Sequence, residues 1–260
     1  MPLSRRALGA ALLALALLPD AARGRDDGPL IAAASDLQFA LTELAAEFAA
    51  ATGRQVRLAF GSTGNFARQI RAGAPFEMFM AADEAFVAGL ARDGLTRDEG
   101  TLYAVGRIVM VVPVGSPLAA DGTLESLRRA LADGRIARFA IANPEHAPYG
   151  RRAEEALRHA GLWEVIGPHL VLGENVSQAA QFALSGNAQG GIIALSLALS
   201  PQLAARGSHD LIPQDWHEPL RQRMVLLNGA GPVAEQFHGY MQSPAARAIM
   251  ERYGFVLPGG

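Results

Sequence analysis

The sequence predicts an α/β fold of two lobes, each a mainly parallel sheet flanked by helices, with two strands that cross between the lobes. Apolar runs alternate with helix-periodic segments in the order β-α-β-α-β-α over residues 30–94, and a second series, β-α-β-α-β, follows over residues 139–195. Such alternation is typical of parallel sheets covered by helices. With 260 residues, of which 50% are hydrophobic and 18% charged, the chain is long enough for two lobes with their own cores.

The first lobe is expected to begin with three short apolar strands, at residues 30–34, 56–60 and 77–81. A helix is predicted to follow each of them. Ser35 is the expected N-cap of the first helix, because its hydroxyl can accept a hydrogen bond from a free N–H of the first turn. Asp36 then lies in that turn, where the helix dipole favours a carboxylate.

The strongly apolar residues 108–112 predict a buried strand from which the chain enters the second lobe, and residues 223–227 predict the strand by which it returns. Two C-terminal helices, at residues 232–241 and 244–253, are expected to pack on the first lobe. The predicted division is therefore residues 28–108 and 222–260 for the first lobe and residues 109–221 for the second, with a ligand cleft between them.

The N-terminus predicts a signal peptide over residues 1–24. Arg5 and Arg6 precede an apolar run of about 12 residues, which ends in the small-residue segment that begins at Pro19. A helix needs about 20 apolar residues to span a bilayer, so this run is too short for a membrane anchor. The mature protein is expected in the periplasm.

Composition and motifs argue against several classes of function. The absence of cysteine excludes thiol catalysis and disulfides, and a net charge of −2 without a basic patch argues against nucleic acid as a partner. The six histidines are scattered, and no G-x-S-x-G, P-loop or H-E-x-x-H motif occurs. An enzyme, such as a secreted hydrolase, is therefore only a remote alternative, and no cofactor is expected. The effector lobe of a transcription regulator is disfavoured by the secretory signal.

The turn Gly61–Gly64 is the first candidate for a binding site. It follows an apolar strand and opens a helix, and Ser62 and Thr63 add hydroxyl groups to the free N–H groups of the helix start. This arrangement suits an anion, although a simple N-cap is the alternative interpretation. Because the carboxyl ends of parallel strands share one edge, the turn and Ser35 are expected to face one point. The second lobe offers two similar junctions, at Tyr149 and Val176.

Several segments together resemble the periplasmic molybdate-binding proteins of ABC importers, within the type II periplasmic binding protein family. The resemblance covers nearly the whole mature chain, and the segments that carry it are residues 32–35, 60–64, 67–70, 73–77, 81–83, 103–107, 143–150, 173–176 and 253–255. It implies a fold of two lobes that close on a tetrahedral oxyanion. It also implies a monomeric solute-binding protein that captures molybdate or tungstate and delivers it to the permease of an ABC importer in the inner membrane.

Carried over by position, the resemblance implies oxyanion contacts from both lobes. Ser35 supplies its hydroxyl and a nearby N–H, and the Gly61–Gly64 turn supplies a hydroxyl and an N–H. Whether Ser62 or Thr63 fills the family's serine position stays open, with Thr63 favoured. Tyr149 and Val176 are expected to contact the ligand through their backbone N–H groups. The molybdenum is reached only through the oxygens of molybdate.

Two positions need separate treatment. Some family members place a tyrosine hydroxyl on the anion from the position of Ala194, and this donor is missing here. Either the Tyr149 hydroxyl replaces it, or Tyr149 is an aromatic wall of the cleft. An ionised Asp36 side chain would repel a dianion, so it is expected to point away and leave only its backbone N–H for contact.

A site made only of neutral donors distinguishes anions by their protons. A fully deprotonated dianion meets donors alone, whereas a protonated anion brings a hydrogen that finds no acceptor. Molybdate, tungstate and sulfate are thereby separated from phosphate. Sulfate, or another tetrahedral oxyanion, remains the alternative ligand, because its separation from molybdate depends on the size of the cavity.

Overall fold

Two five-stranded sheets form the centres of two lobes in the computed structural model, which describes residues 28–259. The predicted signal peptide lies outside the described residues. The first sheet has the order β2 (Arg57–Gly61), β1 (Leu30–Ala34), β3 (Met78–Ala81), β10 (Leu220–Leu226) and β4 (Thr101–Gly106). The second has the order β7 (Leu170–Gly173), β6 (Phe139–Ala142), β8 (Gly190–Ala194), β5 (Ile108–Pro113) and β9 (Gly207–Leu211).

The predicted two-lobed α/β fold is confirmed, and each sheet is mixed. In the first sheet β1 pairs in parallel with β2 and β3, whereas β10 runs antiparallel to β3 and β4. In the second sheet β6 pairs in parallel with β7 and β8, whereas β5 runs antiparallel to β8 and β9. The chain leaves the first sheet at Gly106, enters the second at Ile108, and returns between β9 and β10.

Helices cover the faces of both sheets. Those of the first lobe are α1 (Gln38–Thr52), α2 (Thr63–Arg71), α3 (Glu84–Arg92), α10 (Pro232–Tyr240) and α11 (Pro244–Arg252). Those of the second lobe are α4 (Glu125–Ala132), α5 (Pro148–His159), α6 (Trp163–Ile166), α7 (Val176–Leu184), α8 (Leu195–Ala198) and α9 (Pro201–Ala204). Short 3-10 turns lie at Ser35–Leu37, Gly167–His169 and Gln214–Trp216. Within residues 28–259, no helix has the length and apolar character of a membrane span.

The central strands are buried on both faces, which explains their continuous apolar sequences. Every residue of β3, β5, β6 and β8 is buried. In the first lobe, Phe48 of α1 packs edge-on against Phe237 of α10 on one side of the sheet, and Phe66 of α2 packs against Phe76 on the other. These rigid layers hold the carboxyl ends of the parallel strands, and the helices that follow them, at the junction of the lobes.

The sequence did not predict two of the strands, β9 and β4. The strand β9 is an edge strand whose residues are mostly exposed and polar, so it lacks the apolar run by which the other strands were recognised. The strand β4 is the edge strand of the first sheet and pairs only with β10 and, through one isolated bridge, with Val256.

Candidate functional site

A small cavity lies where the two lobes meet, at the carboxyl ends of the parallel strands. The space in it that the centre of a water-sized sphere can reach is about 10 Å³, and its lining includes every predicted site residue: Ser35, Asp36, Ser62, Thr63, Tyr149 and Val176. Sites for organic ligands usually enclose about 300–1,000 Å³, so this space suits only a small ion. A larger open groove beside α3 is lined by Glu84 and Arg223, whose charges already pair at 2.7 Å, and it offers no comparable set of free donors.

Three helices begin at the cavity wall. Thr63 and Val176 are the first residues of α2 and α7, and Tyr149 is the second residue of α5. Within residues 28–259, none of the backbone hydrogen bonds uses the N–H of these three residues. Helix starts leave such groups unpaired and carry positive potential from the helix dipole. The cavity therefore offers backbone donors from both lobes.

Ser35 does not cap α1, and that prediction was wrong. It opens the 3-10 turn Ser35–Leu37, and Leu37 occupies the N-cap position of α1 without a side-chain bond. The Ser35 hydroxyl oxygen instead accepts a hydrogen bond of 3.2 Å from the backbone N–H of Ser177, in the first turn of α7 in the other lobe. Because the oxygen is the acceptor in this bond, the hydroxyl proton remains to be donated.

The hydroxyls of Ser62 and Thr63 have different partners. Ser62 occupies the N-cap position of α2 without a capping bond, so the interpretation of this turn as a simple cap is wrong. Its hydroxyl donates to the backbone oxygen of His146 at 2.6 Å and lies 2.9 Å from the Nδ1 atom of the same residue. The Thr63 oxygen accepts from the backbone N–H of Ala82 at 3.1 Å, which leaves its proton free. Of these two hydroxyl groups, that of Thr63 is therefore the one whose proton is available to a ligand.

The Tyr149 hydroxyl group donates to a protein side chain and not to the cavity. It therefore does not replace the donor that is missing at Ala194. It donates to the Oδ2 atom of Asp36 at 2.9 Å, and the Nε2 group of Gln222 donates to the same oxygen at 2.7 Å. The hydroxyl of Tyr103 donates in turn to the Oε1 atom of Gln222 at 2.7 Å. This buried network joins α5 of the second lobe to the first lobe.

Sequence reasoning missed Gln222 and Tyr103 as parts of the site. Gly106 makes the network possible, because a Cβ atom there would lie 2.2 Å from the Tyr149 hydroxyl oxygen and 2.8 Å from the Gln222 nitrogen. The only sequence signal for Tyr103 was the segment 103–107, which belongs to the family pattern, and Gln222 had no signal of its own.

Asp36 is buried, with 1% of its surface exposed. Burial raises the pKa of its carboxyl group from 3.8 to about 6, although the hydrogen bonds from Gln222 and Tyr149, and the backbone N–H groups of Asp36 and Leu37, act in the opposite direction. Burial also raises the pKa of Tyr149 and of Tyr103 well above the usual value, so both phenols stay neutral. The Oδ1 atom of Asp36 has no hydrogen-bond partner among the described residues.

Further contacts hold the lobes together around the cavity. The backbone N–H of Gly64 donates to the oxygen of His146 at 3.0 Å, and the Asn65 amide donates to Glu174. On the other side, Arg152 lies 3.5 Å from Asp83. The two lobes are thus in direct contact around the cavity. In the described part of the chain, no three His, Asp or Glu side chains are grouped to hold a metal ion.

Two α/β lobes that close on a small, donor-lined cavity define a solute-binding protein. The chain belongs to the family of bacterial extracellular solute-binding proteins, whose model matches residues 29–256. It is 35% identical over 254 residues to the molybdate-binding protein ModA of Azotobacter vinelandii and 34% identical over 253 residues to that of Rhodobacter capsulatus, with 96% of each chain covered in both cases.

Comparison with solved structures finds one of the same relatives. The structure of the Azotobacter vinelandii periplasmic molybdate-binding protein superimposes with a TM-score of 0.79 at 31% identity, and the match covers 88% of this chain and 99% of that one. The resemblance inferred from the sequence is therefore confirmed. The match is to a family that binds solutes and not to a family of enzymes.

Proposed function

We propose that this protein captures molybdate or tungstate in the cavity between its lobes and delivers it to the permease of an ABC importer. The observation that carries the proposal is the set of unused donors: the N–H groups of Thr63, Tyr149 and Val176, and the hydroxyl protons of Ser35 and Thr63. The names of the relatives supply the anion. The protein acts as a periplasmic monomer.

Neutral donors are sufficient for this task. No arginine lines the cavity, and none of the ion pairs among the described residues includes a residue of its lining. Each hydrogen bond to a charged group contributes roughly 1.5–3 kcal/mol, so five donors in a dry cavity compensate a dianion without a countercharge. These residues donate to the oxygens of the anion, and none of them coordinates the molybdenum.

The donor set also accounts for selectivity. Molybdate and tungstate are fully deprotonated at neutral pH and accept every bond that the cavity offers. Phosphate brings a proton for which these five donors provide no free acceptor, and Asp36, the one acidic residue of the described lining, adds to this discrimination when its carboxyl group is protonated. Sulfate shares the charge and shape of molybdate, so its binding depends on how tightly the small cavity closes around a smaller anion.

The thermal stability of the purified protein tests this proposal. A ligand at one hundred times its Kd adds about 2.7 kcal/mol to the free energy of unfolding, which corresponds to a rise in Tm of roughly 5–10 °C for a protein of this size. We expect this rise with molybdate and with tungstate, and none with phosphate at the same concentration. A rise with sulfate alone would identify a sulfate-binding protein instead.

A further inference from the structure

Asp36 is the only acidic residue among the described residues that line the cavity, and its two carboxyl oxygens have different surroundings. The Oδ2 atom accepts from the Tyr149 hydroxyl at 2.9 Å and from Gln222 at 2.7 Å. The Oδ1 atom is buried and has no partner. No ion pair of the described residues includes Asp36, so no cation stabilises a negative charge on it.

This asymmetry determines where a proton can reside. Because Oδ2 already accepts two donors, the proton of a neutral carboxyl group belongs on Oδ1. A protonated Oδ1 atom is a donor in need of an acceptor. The rest of the cavity presents donors, so the acceptor has to come from the ligand, and the oxygens of a bound dianion provide it.

We propose that Asp36 binds the oxyanion as a neutral carboxylic acid, whose Oδ1–H group donates to an oxygen of the anion. The proposal rests on the proposed function and adds a further donor to it. A proton from bulk water moves onto Oδ1 when the dianion enters and the lobes close. One proton is therefore taken up for each dianion that binds, and the cavity gains one negative charge instead of two.

The surroundings of Asp36 support a neutral carboxyl group. Burial already raises its pKa to about 6 without a ligand, and a dianion beside it raises that pKa further. The titratable groups that face it are the phenols of Tyr103 on β4 and Tyr149 on α5, both neutral. The elements packed against the Ser35–Leu37 turn contribute uncharged groups: Gln38 of α1, Gly61 of β2, Ser177 of α7, Ser196 of α8 and Gln222 of β10.

The coupling predicts how affinity depends on pH. Above the pKa that Asp36 has in the free protein, each unit of pH should raise the Kd for molybdate about tenfold, because a proton must be taken from a solution in which protons are ten times scarcer. We expect this slope between about pH 6.5 and pH 8.5. Titration calorimetry at pH 7.5, in two buffers of different ionisation enthalpy, should show close to one proton taken up for each molybdate bound.

The variant Asp36→Asn provides the matched comparison. Its amide has the shape of the carboxyl group and donates at every pH, so we expect a Kd that stays constant across the range, with no proton uptake. His146 contacts the cavity wall, where its Nδ1 atom lies 2.9 Å from the Ser62 hydroxyl oxygen. In the variant His146→Gln, the tenfold slope for each unit of pH should remain.

The outcomes separate this inference from the proposed function. If wild-type protein binds molybdate with a Kd that does not change with pH and takes up no proton, the role of Asp36 is overturned and the proposed function stands. If the protein binds no molybdate at any pH, both fail. If phosphate binds more tightly than molybdate and Asp36→Asn abolishes that binding, Asp36 is an ionised acceptor, and the inference is overturned.

Discussion

Replacement of Gly64 by alanine should weaken ligand binding without weakening the fold. Gly64 lies in the first turn of α2, where it touches the other lobe. A Cβ atom there would lie 2.7 Å from the backbone oxygen of His146 and 3.1 Å from its Cα atom. These atoms belong to a backbone and cannot move aside as a flexible side chain would. The loop that carries His146 must therefore shift, and the lobes cannot close as they do here.

The magnitude follows from the same contact. Displacement of the loop breaks the 3.0 Å bond from the Gly64 N–H to the His146 oxygen, which contributes about 0.5–1.5 kcal/mol. Overpacking of a close interface typically costs about 1–3 kcal/mol in all. If this cost falls only on the closed form, the Kd for molybdate rises roughly 5- to 150-fold. Alanine is a better helix former by up to about 1 kcal/mol, so the open form is not destabilised.

Titration calorimetry and thermal unfolding without ligand should be carried out on Gly64→Ala beside Gly239→Ala. Gly239 lies in the last turn of α10, and a Cβ atom there meets nothing within 4 Å. This control should gain the same helix stability and keep the wild-type affinity. A Gly64→Ala protein that binds molybdate as tightly as wild type would show that closure does not bring α2 against the loop of His146.

Three further predictions concern the cavity. The variant Thr63→Ala should raise the Kd for molybdate roughly 10- to 100-fold, because it removes a free donor worth about 1.5–3 kcal/mol. The variant Ser62→Ala should raise the Kd less, because the Ser62 hydroxyl group already donates to His146. Equal effects of the two variants in calorimetry would contradict this assignment. The variant Tyr149→Phe should lose about 1–3 kcal/mol of unfolding free energy, measured with urea. The Tyr240 hydroxyl group forms no hydrogen bond in the described chain, so the control Tyr240→Phe should stay within about 0.5 kcal/mol of wild type. A Tyr149→Phe protein as stable as wild type would refute the bond to Asp36. The folded-state pKa of Asp36 is raised from 3.8 to about 6. The wild-type protein should therefore lose stability relative to Asp36→Asn as the pH rises from about 4 through 6, by at most roughly 3 kcal/mol. Parallel pH profiles of the two unfolding free energies would contradict the raised pKa.

The sequence was sufficient to predict the parts of the site that depend on local structure. Each predicted contact follows an apolar run that forms a strand and lies close to the start of a helix or a turn, and both signals are short range. The parallel arrangement of β1 and β2 then brings Ser35 and the Gly61–Gly64 turn to one edge of the sheet. This is why the positions of Thr63, Tyr149 and Val176 could be expected from the sequence.

The partners of the side chains could not be predicted, because they depend on contacts between distant segments. Ser35 accepts from a residue 142 positions away in the other lobe, and this bond replaces the local cap that its sequence position suggested. Asp36 is bonded to Gln222, which is 186 positions away and lies on the returning strand. A carboxylate at a helix start is usually exposed, and only the closed lobes make this one a buried part of the cavity.

The most direct test of the account is a calorimetric titration of the wild-type protein, freed of bound anion, with molybdate, tungstate, sulfate and phosphate in turn. We expect one molybdate or tungstate bound per chain, and no heat from phosphate at concentrations at which molybdate saturates the protein. Binding of phosphate as tight as that of molybdate would contradict the claim that a cavity of donors selects a fully deprotonated anion.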